Sequence, residues 1–171
     1  MNAQPITAAL IDTIHTNPPS SETAHRLIHA ANNLLPHFEA GQAIDAKSLR
    51  AAMEVAFGAS DTNGAWVWKD AYDAVEIAQI MMITRYGALM RKQAASPAQF
   101  LSMVERLSAL APSHTRRSED SVRLQQFSTP LPLAAIVAEA AGFCATDLVL
   151  EPSAGTGMLA VFGQIASAII A

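Results

Sequence analysis

The run with the clearest chemical capacity in this chain is Glu151-Pro152-Ser153-Ala154-Gly155-Thr156-Gly157. Two glycines separated by one residue let the backbone approach a ligand closely and adopt dihedrals that a Cβ forbids. The run follows the apolar Leu148-Val149-Leu150 and precedes an apolar stretch from Met158, so it stands where a strand turns into a helix. The first N–H groups of such a helix face a polar or anionic ligand. A Walker phosphate loop is excluded, because the spacing between the glycines is wrong and no lysine follows. Ala160, three residues after Gly157, occupies a position where the dinucleotide fingerprint accepts alanine, so spacing alone leaves a nicotinamide cofactor open. Taken by themselves, these residues support a nucleotide-like ligand at a glycine turn.

Other residues of chemical interest have simpler explanations. His25 and His29 are four apart on a helical segment, a spacing that can bind metal, but no third ligand is evident and solvated histidines are expected. Trp66, Trp68 and Tyr72 could stack on bases; beside apolar positions at a helix start they are expected to anchor a core. Asn17-Pro18-Pro19-Ser20 begins like an amino-group-binding catalytic motif, yet Ser20 replaces the aromatic that would stack on a flipped base. It reads as a helix-breaking loop ahead of a cap. Arg116, Arg117 and Arg123 could touch phosphate, but Glu119 and Asp120 beside them fit a charged linker.

The elements that must position the glycine turn are mostly helical. Half of the 171 residues are hydrophobic (51%), 15% are charged and 6% aromatic, which suits closely packed helices with a real core. Apolar spacing predicts helices over 5–15, from Ser20 or Ser21 to about Glu39, from about Asp45 to Phe57, over 66–92, and from Ser96-Pro97 to about Leu110. In the second of these the inward stripe is Ala24, Leu27, Ile28, Ala31, Leu34 and Leu35, with Pro36 bending or ending the helix. Residues 58–64 read as a turn-rich loop. A short helix over 130–142, a buried strand over 147–151, the glycine turn and a helix from Met158 complete the order. The expected division is a helical domain over 1–111, a charged linker or short helix over 112–125, and a different unit over 126–171.

The second unit carries a further motif upstream of the glycines, Gln125-Gln126-Phe127-Ser128-Thr129-Pro130, with Ala134 in the helix that follows. Together with Glu-Pro-Ser-Ala-Gly-Thr-Gly one helix later, it resembles the paired cofactor motifs of N6-adenine DNA methyltransferases. The run Gly64-Ala65-Trp66-Val67-Trp68-Lys69-Asp70-Ala71-Tyr72, then Arg116-Arg117-Ser118-Glu119 and Val122 to Phe127, is similar to bacterial strawberry-notch-like methylase/helicase proteins. The resemblance implies S-adenosylmethionine as cofactor and methyl transfer to adenine N6 in the complete protein. It implies that Phe127, Thr129 and Pro130 line the cofactor site, with Thr129 at the methionine end. It likewise implies Glu151 near the cofactor's amino group and Ser153, Gly155 and Gly157 against its backbone. The family's ribose-binding acidic residue and its Asn/Asp-Pro-Pro-aromatic motif are expected beyond residue 171, so no catalytic residue is assigned and this segment alone is not expected to catalyse.

The fold class that follows is mainly α: an N-terminal helical bundle, then the first strand-turn-helix unit of an incomplete α/β, Rossmann-like methyltransferase domain. A lone strand leaves backbone groups unpaired, so Val149-Leu150 is expected to pair with another copy, be covered by helices or abandon strand geometry, and the apolar tail from Met158, if nothing covers it, predicts a homo-oligomer. The formal net charge of −4 disfavours tight DNA binding by this segment, so DNA is expected as a partner of the complete protein. An interaction module without enzymatic activity is the alternative for the helical part. A single cysteine, Cys144, excludes an intrachain disulfide and suits a reducing cytoplasm. The N-terminus has no signal-peptide pattern, and the apolar tail is shorter than the ~20 residues of a membrane span.

Overall fold

A computed structural model describes residues 21–113, 128–152, 154–166 and 169–170 of the chain. The helix expected over 5–15, the Asn17-Pro18-Pro19-Ser20 loop, most of the expected linker, Phe127 and Ser153 lie outside the described residues. The fold is mainly helical. Its order is α1 (Ser21–Glu39), α2 (Ala46–Phe57), a 3-10 turn (Asp61–Asn63), α3 (Trp68–Gln93), α4 (Pro97–Ser108), α5 (Leu131–Ala141), β1 (Leu148–Val149), α6 (Ala160–Ile165) and β2 (Ile169–Ile170).

Local chemistry sets the helix ends. The Asp45 carboxylate accepts the Ser48 N–H at 2.7 Å to start α2, and Gly58 closes it at φ 76 with its N–H on the Glu54 carbonyl. Ser96 accepts the Gln99 N–H while the Gln99 side chain accepts the Ala95 N–H at 2.6 Å, which fixes the entry to α4. Proline 36 sits inside α1, and the helix continues past it to Glu39 before Gly41, at φ 65, ends it. The Arg26 guanidinium donates to the Phe57 carbonyl at 3.1 Å and lies over the Phe57 ring, tying α1 to the carbonyl end of α2.

α3 packs chiefly on α1 and carries most of the architecture. The buried stripe of α1 is Leu27, Ala30, Ala31, Leu34, Leu35 and Phe38. Ile28, expected inward, is 44% exposed; the stripe runs one step round to Ala30 and Phe38 instead. α5 rests on α4, and α6 on α3, and their buried residues belong to the same core as those of α1 to α4. Phe100 of α4 meets Phe162 of α6 edge to face at 6.5 Å, and Arg91 of α3 reaches Glu139 of α5 at 2.9 Å.

The C-terminal segment differs from its expectation in two respects, the length of the strand and the length of the helix. The strand is two residues long, not five, and it pairs in parallel with β2, Leu148 opposite Ile169 and Val149 opposite Ile170. The helix after the turn begins at Ala160 and has six residues. Met158, Val161 and Phe162 are buried, so that part of the tail needs no second copy to cover it. β1 finds its partner strand within the chain, and α6 finds an apolar helical surface on α3. Among the described residues no helix is long and apolar enough to cross a membrane.

Gly87 shows how closely α6 approaches α3. A Cβ there would stand 3.0 Å from Ile165 Cδ1 and 3.0 Å from the Ile83 side chain. Gly87→Leu is therefore expected to overpack the contact and destabilise by about 1–3 kcal/mol, read by urea unfolding. A loss under about 0.5 kcal/mol would show that α6 does not dock at Gly87.

Candidate glycine-turn site

The glycine turn is shaped by two glycines with left-handed backbone. Gly155 has φ 52 and Gly157 has φ 93, both in the left-handed region where a side chain is disfavoured. The Gly157 N–H closes the turn on the Ala154 carbonyl at 2.6 Å, and the Gly157 carbonyl accepts the Val161 N–H at 3.0 Å to start α6. Nothing lies within 4 Å of the position a Gly157 Cβ would take, so the turn faces open space. The helix expected from Met158 begins instead at Ala160, three residues after Gly157, and has six residues.

Thr156, between the two glycines, turns the other way. Its hydroxyl donates to Glu76 Oε2 at 3.0 Å. Glu76 stands in the first half of α3 and is 4% exposed. The Ser128 hydroxyl, from the upstream motif, also bonds the Glu76 carboxyl. One buried carboxyl thus receives one hydroxyl from each of the two segments singled out in the sequence. Thr129 is half-buried, and Pro130 is exposed and leads into α5 by accepting the Ala134 N–H at 3.0 Å. Glu151 is half-buried directly after β1. Of the expected site residues, Thr129 and Pro130 follow Ser128 in the chain, Gly155 and Gly157 flank Thr156, and Phe127 and Ser153 lie outside the described residues.

Sequence reasoning missed Glu76 because it followed apolar residue types along α3. The buried positions are Ala71, Tyr72, Ala74, Val75, Glu76, Ala78, Gln79, Ile83 and Gly87, whereas Ile77, Ile80, Met81 and Met82 are only half-buried. The available signal was geometric. Glu76 is four residues after Tyr72 and one after Val75, which places a carboxylate on the core stripe.

Burial pushes the Glu76 carboxyl above the ordinary carboxylate range, while the Ser128 and Thr156 hydroxyls pull it down. Asp73 adds repulsion and Lys69 attraction, both from the same helix. A carboxyl whose pKa is raised on folding stabilises most below its unfolded value, and that contribution is lost as pH rises through the folded value. Glu76→Gln is therefore expected to gain melting temperature relative to wild type as pH increases from about 4 to about 8. A difference that stays flat or reverses over that range would remove burial as the dominant cause.

A separate cleft of about 340 Å³ opens beside α2 and the start of α3, lined by Ile44, Asp45, Leu49, Trp68, Tyr72 and Pro112 among others. No residue of either motif lines it. The aromatic residues around it are structural: Trp66 is buried and donates its indole N–H to the Ala59 carbonyl at 3.0 Å, and Trp68 donates to Asp61 at 3.1 Å. Arg50 joins the same Asp61 oxygen at 3.1 Å, so the expected aromatic anchor holds the 58–64 loop in place. His25 and His29 are exposed, and among the described residues no three His, Cys, Asp or Glu side chains gather as a metal site requires. No protein family, curated protein or solved structure matches the chain.

Proposed function

We propose that the Ser128–Pro130 and Glu151–Gly157 segments form a binding surface for S-adenosylmethionine, as part of a Rossmann-like DNA adenine-N6 methyltransferase of the strawberry-notch-like methylase/helicase type. The observation that carries this is the meeting of the two segments at Glu76: Ser128 and Thr156 bond the same carboxyl. Two stretches separated by a helix and a strand have no local reason to share a partner. A common ligand surface supplies one. The parallel β1–β2 pair around α6 has the connectivity that begins a doubly wound sheet, which supports the same assignment.

The function proposed for these 171 residues is cofactor binding. Methyl transfer and DNA contact are functions of the proposed methyltransferase, for which these residues supply the cofactor surface. On this account Gly155 and Gly157 admit the ligand to the backbone, Glu151 faces its amino group, and Thr129 and Pro130 border the methionine end. Titration calorimetry of the chain with S-adenosylmethionine tests it. Saturable heat is the expected result, and no heat at about 1 mM ligand would sink the assignment.

A second function, as an interaction module, has its own support. Leu133, Ile136 and Val137 recur at helical spacing along the outer side of α5 and are 45–49% exposed; Leu148 and Leu150 are exposed too. An exposed apolar stripe such as that on α5 suits protein contact, including a second copy of the chain.

A further inference from the structure

The Glu76 carboxyl supplies something that an amide in its place would not. Both Ser128 and Thr156 present hydroxyls to it, and a glutamine of the same shape could accept from one and donate to the other. Keeping an acidic group on a buried helix face opposes its own ionisation. What the carboxyl adds over the amide, at a pH where it is ionised, is negative charge, one hydrogen bond away from the residue between the two turn glycines.

We infer that Glu76 makes the glycine turn selective for a ligand that carries positive charge. This deepens the S-adenosylmethionine assignment and rests on it. The methyl donor bears a sulfonium cation. S-adenosylhomocysteine, the thioether left after the methyl group departs, keeps the same adenosine and amino-acid ends and lacks that charge. A dinucleotide brings phosphates, which a nearby carboxylate repels. Glu76 therefore favours the donor over the spent product and opposes the nicotinamide cofactor that Ala160 leaves open on spacing alone. The charged groups acting on Glu76 among the described residues, Asp73 and Lys69, are of opposite sign and both lie on α3, and the facing segments contribute uncharged hydroxyls. At an effective dielectric constant near 20, a unit charge pair about 10 Å apart changes affinity on the order of tenfold.

The experiment is calorimetry on the full 171-residue chain, wild type and Glu76→Gln, with S-adenosylmethionine, S-adenosylhomocysteine and NAD at about pH 8, well above the ordinary carboxyl range. The expected wild-type result is binding of the donor about tenfold tighter than the thioether, with NAD not bound. In Glu76→Gln the ratio of the two should fall to near one. Thermal melting of the variant alongside shows that it is folded. If wild type binds both adenosine ligands and the substitution leaves their ratio unchanged, Glu76 does not select by charge, while the cofactor assignment stands. If wild type binds neither, the cofactor assignment fails and this inference with it. Tight binding of NAD would overturn both.

Discussion

Phe162→Ala is expected to cost about 3–5 kcal/mol and to uncouple the glycine turn from the helical bundle. Phe162 is fully buried and meets Phe100 edge to face, so truncation removes a large apolar side chain from a packed interior and opens a cavity. The segment around it has little else to stand on. α6 has six residues, too few to persist as an isolated helix, and β1 and β2 have two each. Its place therefore depends on Met158, Val161 and Phe162 against α3 and α4. Urea unfolding gives the loss directly, and Phe162→Leu, which keeps most of the apolar volume, should lose markedly less. A Phe162→Ala loss below about 1 kcal/mol would mean the ring is not part of the core.

Gly155→Asn is expected to weaken S-adenosylmethionine binding by roughly a hundredfold or more while leaving melting almost unchanged, about 1 kcal/mol at most. At φ 52 the backbone lies where asparagine is among the best tolerated non-glycine residues, so the fold can accept the substitution. The added side chain would stand where the ligand must reach the backbone, and it brings no charge to confuse the effect of Glu76. At Gly157, φ 93 is further from what a side chain accepts, so a substitution there would mix folding with binding. Calorimetry and thermal melting on the same sample separate the two effects. Unaltered affinity in Gly155→Asn would show that the ligand does not approach the turn at Gly155.

Much of the helical part was legible in the sequence because its signals are local. Asp45, Ser96 with Gln99, Gly58 and Gly41 mark helix ends by their own hydrogen bonds or dihedrals, and those ends fall within a few residues of where they were expected. Pro36 was a weaker guide: a proline can sit near the end of a helix that already has its last turns satisfied. Which side of a helix faces inward was harder to read, because it depends on the neighbour. Ile28 lost its inward place to Ala30 since α3 lies close to α1, and small residues are what close contact between helices admits. Glu76 was hidden for a related reason. Its partners lie 52 and 80 residues away, and nothing near it in the chain announces a buried carboxyl. At the glycine turn the residue types pointed to a ligand site, whereas its attachment to the bundle came only from three-dimensional packing.

The brevity of the β1–β2 pair bears on the order in which the molecule comes apart. Four paired residues supply few ladder hydrogen bonds, whereas α1 and α3 bury long apolar stripes against each other. Local opening therefore starts in the C-terminal segment, at a free energy well below that of global unfolding, with the bundle still closed. The proposed site lies on the part that opens first, so a ligand seated there would close the segment as well as occupy it, and ligand occupancy would register as slower amide exchange across residues 148–166.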